Sequence, residues 1–176
     1  MRAPKVLTIG DQRLRRVAAP ITRIDAPNVR DAAQSTHAAL QAFRARHGFG
    51  RAIAAPQTGA NMRLIACHLN GASFTLFNPE ITWRSRKTFE LWDDCMSFPD
   101  LLVRVRRHCS ISLRYTDAHG EVQEMAKLHQ AESELLQHEI DHLDGVLAVD
   151  RAEDKWSFVT RSAFVAREDY FRTLVR

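Results

Sequence analysis

The sequence predicts an α+β fold, because a helical pattern comes first, strand patterns fill the middle and helical patterns return at the end. From Asp25 to Gly48, the residues Val29, Ala33, Thr36, Leu40 and Phe43 recur at three- and four-residue steps, which puts them on one helix face. Asp25 is placed to cap that helix and Gly48 to stop it. Between Arg63 and Leu128 the chain reads mainly as strands. Ile111, Leu113 and Tyr115 alternate with Ser112, Arg114 and Thr116, so one face of that strand is expected to be buried. Asp117-Ala118-His119-Gly120 supplies a hairpin turn leading into Val122, Glu124 and Ala126. Phe74 to Phe77 and Thr88 to Trp92 are further strands, and Asn78-Pro79 is read as a break between them. A helix follows from about Gln130 to Leu143, ending near Gly145, with Leu135, Leu136, Ile140 and Leu143 as its apolar contacts. A last helix is expected from about Asp154 towards Leu174, with Trp156, Val159, Ala163, Phe164, Tyr170, Phe171 and Leu174 as an amphipathic stripe.

With 176 residues, 45% apolar and 8% aromatic, the sequence suits one compact domain over 1–176 better than two. Repeats, low-complexity tracts and linker-like stretches are absent from it. No run approaches 18 uncharged apolar residues, and Met1 to Gly10 lacks an apolar stretch ending in a small-residue cleavage site. A soluble, cytoplasmic protein with no membrane partner is therefore expected. Cys67, Cys95 and Cys109 cannot all pair within the chain, and their irregular spacing suits free thiols in a reducing compartment. The net charge of +4 is mild, and no long basic block dominates. Scattered surface arginine explains it better than attraction to polyanions, and sequence-specific nucleic-acid binding is not expected.

The sharpest chemical feature is His138-Glu139-Ile140-Asp141-His142, which lies inside a predicted helix. Residues i and i+4 stand one above the other on a helix, so both imidazoles can converge on one ion while Glu139 points to the neighbouring edge. That carboxylate can serve as general base towards a metal-bound water. The bare pattern also occurs on ordinary helices, so a third ligand matters. Open catalytic sites usually take three protein ligands. Downstream, Asp144, Glu153 and Asp154 offer no persuasive spacing. Upstream, Cys95 within Trp92-Asp93-Asp94-Cys95-Met96-Ser97 would complete a Cys-His-His set with one open position, suited to ferrous iron or zinc. Taken alone, such a cysteine is more often a small buried hydrophobe. A third segment is Gly50-Arg51-Ala52-Ile53-Ala54-Ala55-Pro56-Gln57. Its small residues allow close approach of another backbone, and the Gln57 amide can donate to a developing oxyanion. In isolation it is an ordinary loop.

In this order and at these separations, the three segments resemble the signature set of the peptide deformylase family: a G-x-G-x-A-A-x-Q loop, an E-G-C-x-S strand end and H-E-x-D-H on a helix. Lys5-Val6-Leu7 with Asp11-Gln12-Arg13-Leu14-Arg15 also looks like the family's N-terminal segment. Phe77-Asn78-Pro79-Glu80-Ile81 and His142-Leu143-Asp144-Gly145 fit as well, so the likeness covers roughly residues 5 to 150. It implies mixed, largely antiparallel strands around a central metal-bearing helix, with a C-terminal helix. It further implies one divalent metal ion on Cys95, His138 and His142, natively ferrous iron, with zinc or nickel as alternatives. Glu139 would transfer protons, and Gln57 with the Met96 N–H would stabilise the oxyanion. Gly50, Ala52, Ile53, Asp94 and Leu135 would line the substrate groove. The substrate implied is a formylated peptide or small formyl amine, hydrolysed to formate and a free amine. Arg161, Arg167, Arg172 and Arg176 admit a weak ribosome contact, but Glu153, Asp154, Glu168 and Asp169 dilute it, and capping the core is the favoured role for the C-terminal segment.

The chain departs from the pattern at informative places. Asp93-Asp94 stands where the family has Glu-Gly, Ala52 replaces the loop's second glycine and follows Arg51, and Leu102 stands where an arginine is common. Asp93 keeps the carboxylate but shortens its reach. Asp94 and Ala52 are expected to reshape the groove, unless Asp94 turns to solvent. A non-catalytic metal-binding or ribosome-associated relative is the alternative reading, with a metallopeptidase third. Retention of Glu139 and Gln57 favours the enzyme, since a structural metal needs neither.

Overall fold

The computed structural model describes residues 5–175, so Arg176, the last of the four C-terminal arginines, lies outside it. The first helix, α1, spans Pro27–His47 and buries Val29, Thr36, Leu40 and Phe43. Its cap differs from expectation. Ala26 occupies the N-cap without a side-chain bond, while Pro27 opens the helix with a ring already set to helical φ. Asp25 instead pairs with Arg23 at the surface. Gly48 ends α1 as read, at φ 77 with its N–H on the Arg44 carbonyl.

Two antiparallel sheets follow. The larger has the order β1-β2-β3-β6-β7, built from Ala52–Ala54, Leu64–Leu69, Ala72–Arg84, Ile111–Thr116 and Val122–Met125. The smaller has the order β4-β5-β8, from Thr88–Asp94, Leu101–His108 and Phe158–Thr160. The β6–β7 hairpin turns at Gly120, φ 85, whose N–H meets the Asp117 carbonyl; β7 ends at Met125, one residue short of Ala126.

Helix α2, Gln130–Leu143, has the bounds the periodicity indicates. Every residue from Leu135 to Leu143 is buried, and the two sides of the helix meet different surroundings. Leu135, Leu136, Ile140 and Leu143 pack with Ile65, Leu76, Ile111 and Leu113 of the larger sheet. Each such side chain contributes about 1.5–3 kcal/mol by leaving water. The other side is polar and meets β5: Gln137 accepts from the His108 N–H and donates to the His108 carbonyl, both near 3 Å. An ordinary helix would not bury so much polarity, because each buried polar group needs its own partner.

Two expectations fail for definable reasons. Asn78-Pro79 does not break the chain; β3 runs through it from Ala72 to Arg84. Asn78 takes φ 49, and the register shifts between Phe77 and Glu80, so the missing proline N–H falls at a bulge. The Asn78 side chain holds the bulge by accepting from the Ile21 N–H and donating to the Ile21 carbonyl. The single last helix is also wrong. After Asp154 the chain turns, adds β8 to β5 through Leu102↔Val159, and then forms two short helices, α3 (Arg161–Ala166) and α4 (Glu168–Thr173), separated at Arg167. Trp156 of the supposed stripe is 76% exposed. Pairing with the free edge of β5 outweighs helical propensity over Phe158–Thr160, and Thr160 then caps α3 through its side chain.

Where α2 ends, Gly145 sits at φ 72, and a Cβ there would lie 2.6 Å from the Arg15 carbonyl oxygen. Gly145→Ala is expected to lose about 2 kcal/mol, lowering the thermal midpoint by roughly 5 °C. Circular dichroism of the variant beside the parent checks this, and coincident melting curves would contradict it.

Candidate metal centre

Because α2 places residues four apart on one face, His138 and His142 meet edge to face with ring centroids 4.9 Å apart. Cys95 follows directly on the last residue of β4 and is buried, so the strand delivers its sulfur to that face. Cys95 Sγ lies 3.2 Å from His142 Nε2, and one ligand atom from each of Cys95, His138 and His142 falls within 4.8 Å of the others. His138 Nδ1 donates to Asp93 Oδ2 at 3.0 Å, which leaves its Nε2 for the centre. One thiol and two imidazoles are the donor types that zinc and ferrous iron accept, and their convergence fits an ion with room for a further ligand.

The surroundings set the charge states. Burial works against charge on His138, but Asp93 and the Cys95 sulfur outweigh it and raise its pKa well above the usual imidazole range. Burial and the neighbouring His138 charge hold His142 well below that range, so it stays neutral. Burial also opposes the charge on Asp93, yet His138 and Arg107 bring its pKa down to about 2. Arg107 is itself buried, donating to Asp93 at 3.0 Å and to Asp141, which Arg151 contacts from the other side at 2.6 Å. A line of alternating charges thus runs Arg151, Asp141, Arg107, Asp93, His138. It uses the fourth residue of the histidine motif, Asp141, for support rather than ligation.

Glu139 lies beside the centre with its Oε2 buried and without a hydrogen-bond partner among the described residues. Burial raises its pKa to about 7. Gln57 is buried in a 3-10 turn after β1; its Oε1 accepts from the Ala54 N–H, while its Nε2 reaches Ser97 Oγ at 3.2 Å and Cys95 Sγ at 3.7 Å.

A cleft of about 430 Å³ opens over these groups, and Gly50, Ala52, Asp94, Met96, Leu135 and Glu139 are among the residues lining it. Gly50 takes φ 119, and the Met96 methyl occupies the space where a Cβ would lie. Ile53 is placed elsewhere: it alternates away from the cleft and packs with Leu40 and Phe43 under α1. Asp94 lines the cleft rather than pointing freely to solvent, since it pairs with Arg161 at 2.7 Å. Sequence reasoning missed Arg107, although a basic residue at an inward position of an alternating strand was a usable signal. It also missed that Arg51 reaches α2, donating to the Ala131 carbonyl and to Glu134, whose pKa burial raises.

Comparison with known proteins points one way. The family model described as Polypeptide deformylase matches residues 3–157. A peptide deformylase of Thermotoga neapolitana is 32% identical over 147 residues, covering 84% of this chain and 85% of the relative. A crystal structure of a peptide deformylase from Synechococcus elongatus in complex with actinonin superposes with a TM-score of 0.80 at 29% identity, covering 89% of this chain and 82% of that one. A Met-ala-ser bound peptide deformylase of Acinetobacter baumannii gives 0.75 at 26% identity, covering 85% and 98%.

Removing Arg107 would leave Asp93 and Asp141 buried without their shared cation. Arg107→Met is expected to cost about 3–5 kcal/mol, read as a lower urea midpoint. Arg107→Lys should recover only part of it, because one ammonium cannot reproduce the planar fork that spans two carboxylates.

Proposed function

The chain belongs to the polypeptide deformylase family, and from that membership we propose how its own residues carry out the family's reaction. It is a metal-dependent hydrolase that removes the formyl group from the N-terminus of peptides, releasing formate and a free amine. In our reading Cys95, His138 and His142 hold one divalent ion, ferrous iron by likeness to the family, with zinc or nickel suited to the same donors. When bound, that ion supplies a Lewis acid and makes water acidic enough to attack near neutral pH.

The remaining chemistry falls to side chains. Glu139, with its pKa near 7 and one oxygen unengaged, takes a proton from the attacking water and passes it to the departing amine nitrogen as the C–N bond breaks. Gln57 Nε2 and the Met96 N–H donate to the carbonyl oxygen as negative charge gathers on it. Gly50, Ala52, Asp94 and Leu135 flank the substrate. Asp93 keeps His138 aimed at the ion, so the shorter carboxylate is matched by close contact rather than lost support.

The observation that carries this reading is the convergence of one sulfur and two imidazoles beneath a cleft where one buried oxygen of Glu139 has no hydrogen-bond partner among the described residues. A non-catalytic relative would leave the buried Glu139 oxygen without purpose or compensation. Cys67, Cys95 and Cys109 are all free thiols, which supports a reducing compartment such as the cytoplasm. No helix among the described residues is long and apolar enough to cross a membrane. Arg161 engages Asp94 and Arg172 engages Glu168, so we give the C-terminal segment a capping role ahead of a weak ribosome contact.

Anaerobic metal analysis with a formate-release assay on formyl-Met-Ala tests the assignment. Cys95→Ser is expected to lose the metal, whereas Glu139→Gln retains it and loses roughly 10²–10⁴-fold in rate. Acidification from neutrality to about pH 5 should release the metal, because added protons compete for the thiolate and imidazoles. Metal content indifferent to both Cys95→Ser and acid would defeat the reading.

A further inference from the structure

The cleft lies between two strand edges. Among the described residues β1 pairs only with β2, and β4 only with β5, so each presents an edge without a strand partner there. Both contribute to the lining, through Ala52 on one wall and Leu91 to Asp94 on the other. Such edges can take an extended chain as an added strand.

Phe49 and Asp94, which both line this cleft, are contacted by one side chain from the C-terminal segment. Arg161, the first residue of α3, donates through Nη2 to Asp94 Oδ2 at 2.7 Å and through Nε to the Pro99 carbonyl at 2.6 Å. Its guanidinium also lies 4.5 Å over the Phe49 ring. Asp94 is the last residue of β4, and Phe49 lies between α1 and β1, so Arg161 ties together two residues from opposite walls of the cleft. Its backbone is well anchored: Thr160 pairs with Leu101, and the Arg161 N–H meets the Asp100 carbonyl. The helices behind it are fixed to β4, because Trp92 donates to the Phe171 carbonyl at 2.8 Å and packs edge-on against Phe164 and Phe171.

We propose that the Phe49–Arg161–Asp94 bridge sets substrate length, making this enzyme selective for a formylated single residue or small formyl amine over an extended formyl peptide. The inference rests on the deformylase reading and narrows its substrate class. A formyl group with one residue attached needs only the part of the cleft over Glu139, Gln57 and Leu135. A longer chain must run on between the two edges and meets the bridge. Asp94 is thus recruited into a barrier, which accounts for the acidic residue beside the metal cysteine. Arg161 and Asp94 side chains remain 31% and 41% exposed, so the pair is weak and can be displaced at a cost. The result is a graded preference, not an absolute block.

The test is kcat/KM for formyl-methionine amide, formyl-Met-Ala and formyl-Met-Ala-Ser with the metal-loaded protein, Arg161→Ala and Phe49→Ala. Calorimetry of the products methionine amide and Met-Ala-Ser gives a readout independent of turnover. In the parent, kcat/KM should fall about tenfold from the shortest to the longest substrate, and either variant should bring the ratio close to one. Met-Ala-Ser should bind Arg161→Ala roughly tenfold more tightly than it binds the parent. Equal rates along the series in the parent, or the same ratio in parent and both variants, overturns the inference while leaving the deformylase reading intact. Formate from none of the three substrates overturns that reading, and the inference with it. Two variants on different elements guard against one failing to fold.

Discussion

The buried contact between Arg107 and Asp93 is the constraint on which the centre depends. Asp93 orients His138 by accepting from Nδ1, and only that orientation turns the other ring nitrogen towards Cys95. A carboxylate so deeply buried would ordinarily take up a proton, and a neutral acid would hold the imidazole less firmly. His138 and Arg107 together keep it ionised, while Asp141 keeps Arg107 from being an unmatched cation. The ligand geometry therefore rests on a line of paired charges reaching from the surface at Arg151 to the ring of His138.

That arrangement explains why α2 can be buried on all sides. Its apolar stripe supplies the favourable burial against the larger sheet, and on its polar side Gln137 finds His108 and His138 finds Asp93 on the smaller one, while Glu139 Oε2 and His142 Nδ1 have no hydrogen-bond partner among the described residues. The helix is a wedge between two sheets of different character. The candidate metal ligands lie on the side facing the smaller sheet, because β4 brings Cys95 there and β5 brings Arg107.

The departures from the family pattern sort by this geometry. Asp93 remains within the charge line and serves it. Asp94 and Ala52 line the cleft and stand apart from the three side chains that converge as candidate ligands. Leu102 is buried and pairs with Val159 of β8, the strand that carries the chain to Arg161. The change at Leu102, the added strand and the Arg161–Asp94 pair therefore adjoin one another in the fold.

The sequence by itself determined α2 and the histidine pair on its face, since 3.6-residue periodicity and the i, i+4 spacing are local properties written in consecutive residues. It also determined α1 and the β6–β7 hairpin, where turn residues and alternation act over short range. Cys95 was legible only as a candidate, because nothing local joins a sulfur to rings more than forty positions away. Tertiary structure decided that join, and it decided the fates of Asn78-Pro79, Ile53 and the C-terminal stripe. In each, a partner distant in sequence outweighed a local preference: Ile21 held the bulge, α1 drew Ile53 inward, and the free edge of β5 converted Phe158–Thr160 into strand. Arg161 looks like an ordinary surface arginine in sequence, and the inward position of Arg107 in its strand does not say which carboxylates meet it; folding alone supplies those partners.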